Sequence, residues 1–211
     1  ATRYFRVTGT CTAAALSNTS SVITLTPAIC TFDVAYTNSG VSYTSIIPTG
    51  TVMSGWLNTS GDDNTTTTQS LAVTTFKYQG QSVTGFQAFT NGWMTFNTSN
   101  TSTAFTNSIG SASQNRVLAP FWDDLVMTGF TPAFNSFPVR DNCMRYEVSG
   151  TLGSGSAVIT IEWAGLEVYN IPGPNLNFQV KLYEAGNVIE YVYGNFDAFD
   201  GSFDAPFSYT L

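Results

Sequence analysis

No dozen-residue stretch of this chain spaces its apolar residues at three and four behind a capping residue, so helices of useful length are not expected. Runs of five to nine β-branched and aromatic residues take their place, each broken by Gly, Asn, Pro or Ser. They predict strands near 3–9, 21–26, 71–78, 82–90, 92–97, 116–121, 143–150, 156–164, 176–184, 187–194 and 206–210. Such strands must bury one face against another layer. At 211 residues, 43% hydrophobic and 14% aromatic, the chain has enough apolar side chains to form that core. The expected fold is all-β: an antiparallel β-sandwich of jelly-roll or immunoglobulin-like kind with essentially no helix.

Local register can be read at two turns. Asn91-Gly92 lies between 86–90 and 93–96, and Asn-Gly accepts positive φ at both central positions of a two-residue hairpin. A second hairpin joins 177–184 to 188–193 through Ala185-Gly186-Asn187. Alternation places Phe178, Val180, Leu182, Ile189, Tyr191 and Tyr193 on one buried face. Gln179, Lys181, Glu190 and Val192 share the other, with Lys181 and Glu190 close enough for a cross-strand pair. Residues 57–70 have almost no apolar content and are expected as an exposed loop or a short linker within the domain. The Asn-, Ser- and Thr-rich 97–115 stretch is expected as another loop.

Composition excludes several functions. Only 10% of residues are charged, against about 25% in an average domain. Thr, Ser and Asn number 31, 21 and 16, giving a surface of hydroxyls and amides. With no histidine, Ser-His-Asp and Cys-His catalysis and histidine metal ligation are excluded. A net charge of −7 with seven basic residues leaves no patch to neutralise a phosphate backbone, so no nucleic-acid partner is expected. No run of 18 apolar residues exists, so no membrane insertion is expected. The opening residues, Ala1 to Phe5, read as a strand rather than a leader, as in a processed chain or an excerpt of a longer one. Three cysteines, Cys11, Cys30 and Cys143, cannot all pair internally. A Cys11–Cys30 loop, a Cys30–Cys143 staple and three reduced thiols all remain open.

Candidate chemistry rests on carboxylates and aromatics. Asp123 and Asp124 are adjacent on an extended segment, so they point apart; one is expected to cap backbone amides while Phe121 and Trp122 fill the core. Asp197, Asp200 and Asp204 bracket Gly201 and could offer oxygens to calcium, with Asp62, Asp63 and Asn64 a weaker case. No cofactor is otherwise expected. Glu162, Glu167, Glu184 and Glu190 could include a glycosidase pair. Glu162 reads more simply as a solvent-facing strand residue, and Glu190 as the partner of Lys181. Trp56 and Tyr169 are the candidate exposed aromatics for stacking on sugar rings, and most other aromatics are assigned to the core. Five Asn-x-Ser/Thr sequons, at Asn18, Asn58, Asn64, Asn97 and Asn100, mark polar loops.

A set of landmarks from about Tyr36 to Asn195 carries a resemblance. They are Ser42-Tyr43-Thr44-Ser45-Ile46 with Pro48-Thr49-Gly50-Thr51-Val52, then Phe76-Lys77-Tyr78-Gln79-Gly80, then Thr90-Asn91-Gly92-Trp93-Met94-Thr95-Phe96. Leu118-Ala119-Pro120-Phe121-Trp122-Asp123-Asp124-Leu125 follows, then Ile161-Glu162-Trp163, and lastly 177–184 running into 189–194. In this order they resemble a β-rich module of very large secreted adhesins from bacteria with type IX secretion, including gliding species. A similar order occurs in nidogen-type extracellular domains. Residues 4–11 and 20–26 are similar to the last two strands of immunoglobulin-like repeats in the same adhesins. Residues 1–30 are therefore either the end of such a repeat or the first strands of the main domain, with 31–211 the sandwich module. The resemblance implies a secreted, cell-surface, non-catalytic adhesin module serving attachment or gliding, with glycans or surfaces, neighbouring domains and the type IX secretion machinery as partners. The alternatives are a structural spacer or filament-building domain and a glycoside hydrolase-like enzyme.

Overall fold

A computed structural model describes residues 6–11, 18–19, 22–23, 30–33, 41–100, 115–127 and 143–194. The strands are β1 (Arg6–Cys11), β2 (Asn18–Thr19), β3 (Val22–Ile23), β4 (Cys30–Asp33), β5 (Thr51–Val52), β6 (Gln69–Ser70), β7 (Lys77–Tyr78) and β8 (Gln81–Ser82). They continue with β9 (Gly85–Phe89), β10 (Trp93–Thr95), β11 (Val117–Leu118), β12 (Leu125–Val126), β13 (Cys143–Ser149), β14 (Val158–Val168), β15 (Ile171–Tyr183) and β16 (Val188–Tyr193). The predicted strand at 206–210 lies outside the described residues. Among the described residues the only helical element is a single 3-10 turn at Ala185–Asn187.

An eight-stranded antiparallel sheet runs β4-β1-β16-β15-β14-β13-β5, with β12 also pairing β14. A four-stranded sheet runs β11-β10-β9-β6. The two pack face to face. Phe86, Ala88, Met94 and Leu118 of the small sheet share one core with Met144, Ile159, Ile161, Trp163, Phe178, Val180 and Leu182 of the large one. Burying side chains of this size is the main favourable term in folding, each worth roughly 1.5–3 kcal/mol. Trp163 stacks on Phe178 at 5.3 Å, and Phe121 stacks on Phe178 at 5.7 Å. β1 pairs β16 (Arg6↔Glu190, Val7↔Ile189), so β1 and, through it, β4 extend the large sheet, while β2 and β3 pair with each other.

In the second hairpin Phe178 pairs Tyr193, Val180 pairs Tyr191, and Leu182 pairs Ile189. Phe178, Val180, Leu182 and Ile189 are buried, and Tyr191 and Tyr193 pack against them, as the alternation predicts. Lys181 stands directly opposite Glu190. The Glu190 carboxylate accepts a hydrogen bond from the Tyr183 hydroxyl at 2.6 Å.

The opposite face of the large sheet is not the solvated surface that alternation suggests. Glu162, Gln179 and Val192 are fully buried there. The Glu162 carboxylate accepts hydrogen bonds from the Tyr43 hydroxyl, the Ser45 hydroxyl (2.7 Å), the Ile46 amide (2.6 Å) and the Gln179 side-chain amide (3.3 Å). A buried carboxylate must have its oxygens satisfied, and the 43–46 segment, folded over the strand, does this. Glu162 is therefore an anchor, which corrects its expected exposure. The polar stretch 57–70 is a second correction. Asn64, Thr65 and Thr66 are fully buried, and β6 pairs β9 through Gln69↔Phe86 and Ser70↔Gly85. Their polar groups go inside because each finds a backbone partner; Thr66 and Ala88, for example, exchange N–H···O bonds with one another.

Glu184 closes the far end of the second hairpin. Its carboxylate accepts from the Thr74 hydroxyl and from the amides of Thr75, Gly153, Gly155 and Ala157, all at 2.8–3.3 Å. Desolvation acts to raise its pKa, but the donors outweigh it and lower the pKa from 4.5 to about 2. A depressed carboxylate stabilises the fold above its unfolded pKa, and that contribution is lost as pH falls through the folded value. Stability from Glu184 is thus complete above about pH 4.5 and disappears between 4.5 and 2. Glu184→Gln is expected to cost on the order of 2 kcal/mol at pH 7 and to flatten the acid limb of the stability curve. Urea midpoints measured between pH 2 and 7 check both effects. A variant as acid-sensitive as the parent would show that Glu184 carries no part of that limb.

Candidate functional site

Four segments converge around the β9–β10 turn. Phe89 pairs Trp93, so the connecting loop is the three residues Thr90-Asn91-Gly92. Gly92 has φ +74°, while Asn91 is outside the positive-φ region. The expected two-residue turn with positive φ at both positions is therefore corrected to a three-residue loop with one left-handed glycine. The reason lies in the Asn91 side chain. Its Nδ2 donates to Asp63 Oδ1 at 2.8 Å, and its Oδ1 accepts from the Leu125 amide at 2.9 Å. The turn is shaped to hold two neighbouring segments.

Those segments are the 57–64 loop and the Phe121–Val126 run. Thr90 and Asn64 exchange hydrogen bonds, the Thr90 amide donating to Asn64 O at 3.0 Å and the Asn64 amide to the Thr90 hydroxyl at 2.9 Å. Phe121 N donates to Gly92 O at 3.2 Å, and Asp123 N to Asn91 O at 3.3 Å. Trp93 stacks between Phe89, at 3.5 Å, and Trp122, at 5.2 Å, in a small satellite core. Phe121 and Trp122 are buried, and Asp123 Oδ1 accepts from the Asp124 amide at 2.8 Å, the cap expected of this pair. The fourth segment arrives through Tyr169, whose amide donates to Asp124 O at 2.8 Å.

This packing brings Asp62, Asp63 and Asp124 together. One ligand atom from each lies within 4.8 Å of the others, and all three residues are half-buried. Asp62 Oδ1 is buried with no hydrogen-bond partner among the described residues. Desolvation, then the charge of Asp63, raise the Asp62 pKa. Desolvation, then the charges of Asp62, Asp63 and Asp123, raise that of Asp124. Among the described residues these three are the ones that could hold a hard cation. They supply three oxygens of the six to eight that calcium takes. Asp197, Asp200 and Asp204, the other expected calcium set, lie outside the described residues. Asn64 is fully buried and frames the loop instead. Its Oδ1 accepts from the amides of Asn58 and Thr65, and its Nδ2 donates to Asn58 O and Ser60 O.

Of the two aromatics expected to face sugars, Tyr169 is 43% exposed and is tied to Asp124 through its main-chain amide. Trp56 is only 8% exposed and belongs to the main core, because the strand-like 51–56 segment turns it inward and it bridges to Thr66. Its expected exposure is corrected. Asp62 and Asp124 are 62 positions apart, so no local spacing in the sequence reveals that they meet.

A family model described as NIDO related matches residues 33–206. No curated protein and no solved structure matches the chain.

Two substitutions test the site's construction. A Cβ at Gly92 would fall on the Phe121 carbonyl oxygen, and the φ of +74° is itself strained for an L residue. Gly92→Ala is expected to destabilise by on the order of 3 kcal/mol, read from the urea midpoint. A near-neutral result would mean that the turn does not fix the 121–125 run. A carboxylate with a raised pKa costs the fold stability when ionised, so the folded state gains as pH falls into that pKa range. Asp124→Asn should therefore raise Tm at pH 7 by about 1–2 °C, the modest size expected of half-exposed charges. A lower Tm would show that the three carboxylates do not repel one another in the folded protein.

Proposed function

This chain belongs to the NIDO-related family, and on that premise we propose that it is a non-catalytic module of a secreted, surface-displayed adhesin. NIDO-related is not an enzyme family, and NIDO-like domains are typically extracellular. No helix among the described residues is long and apolar enough to cross a membrane. We place the parent protein among the large adhesins exported by type IX secretion, working in attachment or gliding. The ligand class we propose is a neutral glycan, bound at the Tyr169 end of the sandwich.

One observation carries this reading. Two of the six landmarks that bear the resemblance, the Asn91-Gly92-Trp93 turn and the Phe121-Trp122-Asp123-Asp124 run, interlock through hydrogen bonds, bring Asp124 to Asp62 and Asp63, and receive the Tyr169 amide on the Asp124 carbonyl. An aromatic face suits the C–H face of a sugar, and carboxylates accept its hydroxyls. The buried glutamates Glu162 and Glu184 are surrounded by structural donors, which also supports a non-catalytic role.

A glycoside hydrolase is the second reading, favoured by one observation: Asp62 and Asp124 have raised pKa values and lie close together. Retaining glycosidases set two carboxyls about 5–5.5 Å apart, one of them protonated at working pH. A glycan array incubated with the whole chain separates the two readings. Retention that falls at least tenfold in Tyr169→Ala, with no reducing ends released, is the expected result. Release of reducing ends that stops in Asp124→Asn would establish the hydrolase. Absence of both would overturn glycan binding. Antibody against the chain should label intact cells of the native host; labelling only after permeabilisation would overturn surface display.

A further inference from the structure

β1 and β4 pair antiparallel through Thr8↔Asp33, Gly9↔Phe32, Thr10↔Thr31 and Cys11↔Cys30. Two of the three cysteines in the chain therefore occupy directly opposite register positions of one antiparallel strand pair. Opposite residues in an antiparallel ladder have Cα atoms about 4.5 or 5.5 Å apart, depending on whether the pair is hydrogen-bonded. A disulfide requires about 4.4–6.8 Å, so both kinds of position satisfy it. We propose that Cys11 and Cys30 form a cross-strand disulfide and that Cys143 remains a thiol.

The sheet order excludes the alternative partner. Cys143 begins β13, and β14, β15, β16 and β1 lie between β13 and β4. At about 4.8 Å per strand, five steps separate Cys30 from Cys143 by roughly 24 Å, and four steps separate Cys11 from it by roughly 19 Å. Neither pair can be bridged without taking the sheet apart.

The chemistry balances as thiol–disulfide exchange. The two thiols lose two protons and two electrons as one S–S bond forms, and the electrons open the disulfide of an oxidant, a small disulfide or a dithiol oxidase, to two thiols. Such oxidants act in extracellular and periplasmic compartments, which agrees with a secreted module without depending on glycan binding. β4 is the outermost strand of the large sheet. The bond would hold that edge to β1, and β1 in turn to β16, so the edge strand could not peel away to pair with another chain.

The test uses the whole chain, equilibrated with oxidised glutathione, alkylated and digested without reduction. The expected map joins the Cys11 and Cys30 peptides and finds Cys143 alkylated. Three alkylated cysteines, or Cys143 in the cross-link, would overturn the proposal. Melting gives a second readout. Reductant should lower Tm by roughly 5–10 °C in the parent and in Cys143→Ser, and should not move it in the Cys11→Ser, Cys30→Ser double variant. A reductant-induced shift that persists in the double variant would likewise overturn it.

Discussion

The Phe89 carbonyl joins the two sheets. It accepts the Gly92 amide at 3.1 Å, which closes the β9–β10 turn, and the Trp163 indole N–H at 2.8 Å, which arrives from the opposite sheet. All three partners are buried, so both bonds act where water cannot substitute. One oxygen thus fixes the turn and the relative position of the sheets together. Trp163 stacks on Phe178, and Phe89 stacks on Trp93, so the main core and the satellite core meet at this atom. Once the sheets are placed, the Asn91 side chain can reach both Asp63 and Leu125, and the carboxylate group assembles as a consequence.

The chain has few charges, and the structure uses several of them as anchors. Glu162 holds the 43–46 segment over the back of the large sheet, and Glu184 gathers the 74–75 and 153–157 segments at the hairpin end. Each replaces lost hydration with donors of fixed geometry, and at Glu184 those donors prevail and the pKa falls. At Asp62 and Asp124 the balance is reversed. Desolvation and like charges dominate there, and the pKa values rise. Two carboxylates that are strained by their surroundings mark a place where the fold gives up stability, and such places are where binding and chemistry concentrate.

What could be read from the sequence was what is decided locally. The register of the second hairpin follows from six alternating apolar residues and a short Gly-containing turn, and the pairs Phe178↔Tyr193 through Leu182↔Ile189 realise it. The first hairpin was legible in position but not in turn type, because the choice was made by Asp63 and Leu125, both distant in sequence from Asn91. Alternation placed Glu162 on the face opposite Ile161 and Trp163, but could not show that the 43–46 segment covers that face. Thr65 and Thr66 read as solvated for the same reason, since their backbone partners lie on β9. Of the site, the Trp122-Asp123-Asp124 run was visible as a motif. Its meeting with Asp62 and Asp63 depends on four loops and has no local signature.

A sandwich built this way separates stability from its exposed end. The large sheet is covered on both faces around β14 and β15, and its core needs no contribution from Tyr169 or the three aspartates. Side chains there can change with little cost to the core, whereas the glycine and asparagine that shape the loops cannot. That division lets the loop side chains vary while the scaffold is kept. It also accounts for the composition. Hydroxyl and amide side chains hydrate the surface and bond backbone in buried loops alike, so a chain with only 10% charged residues can keep its few carboxylates for anchoring and for the site.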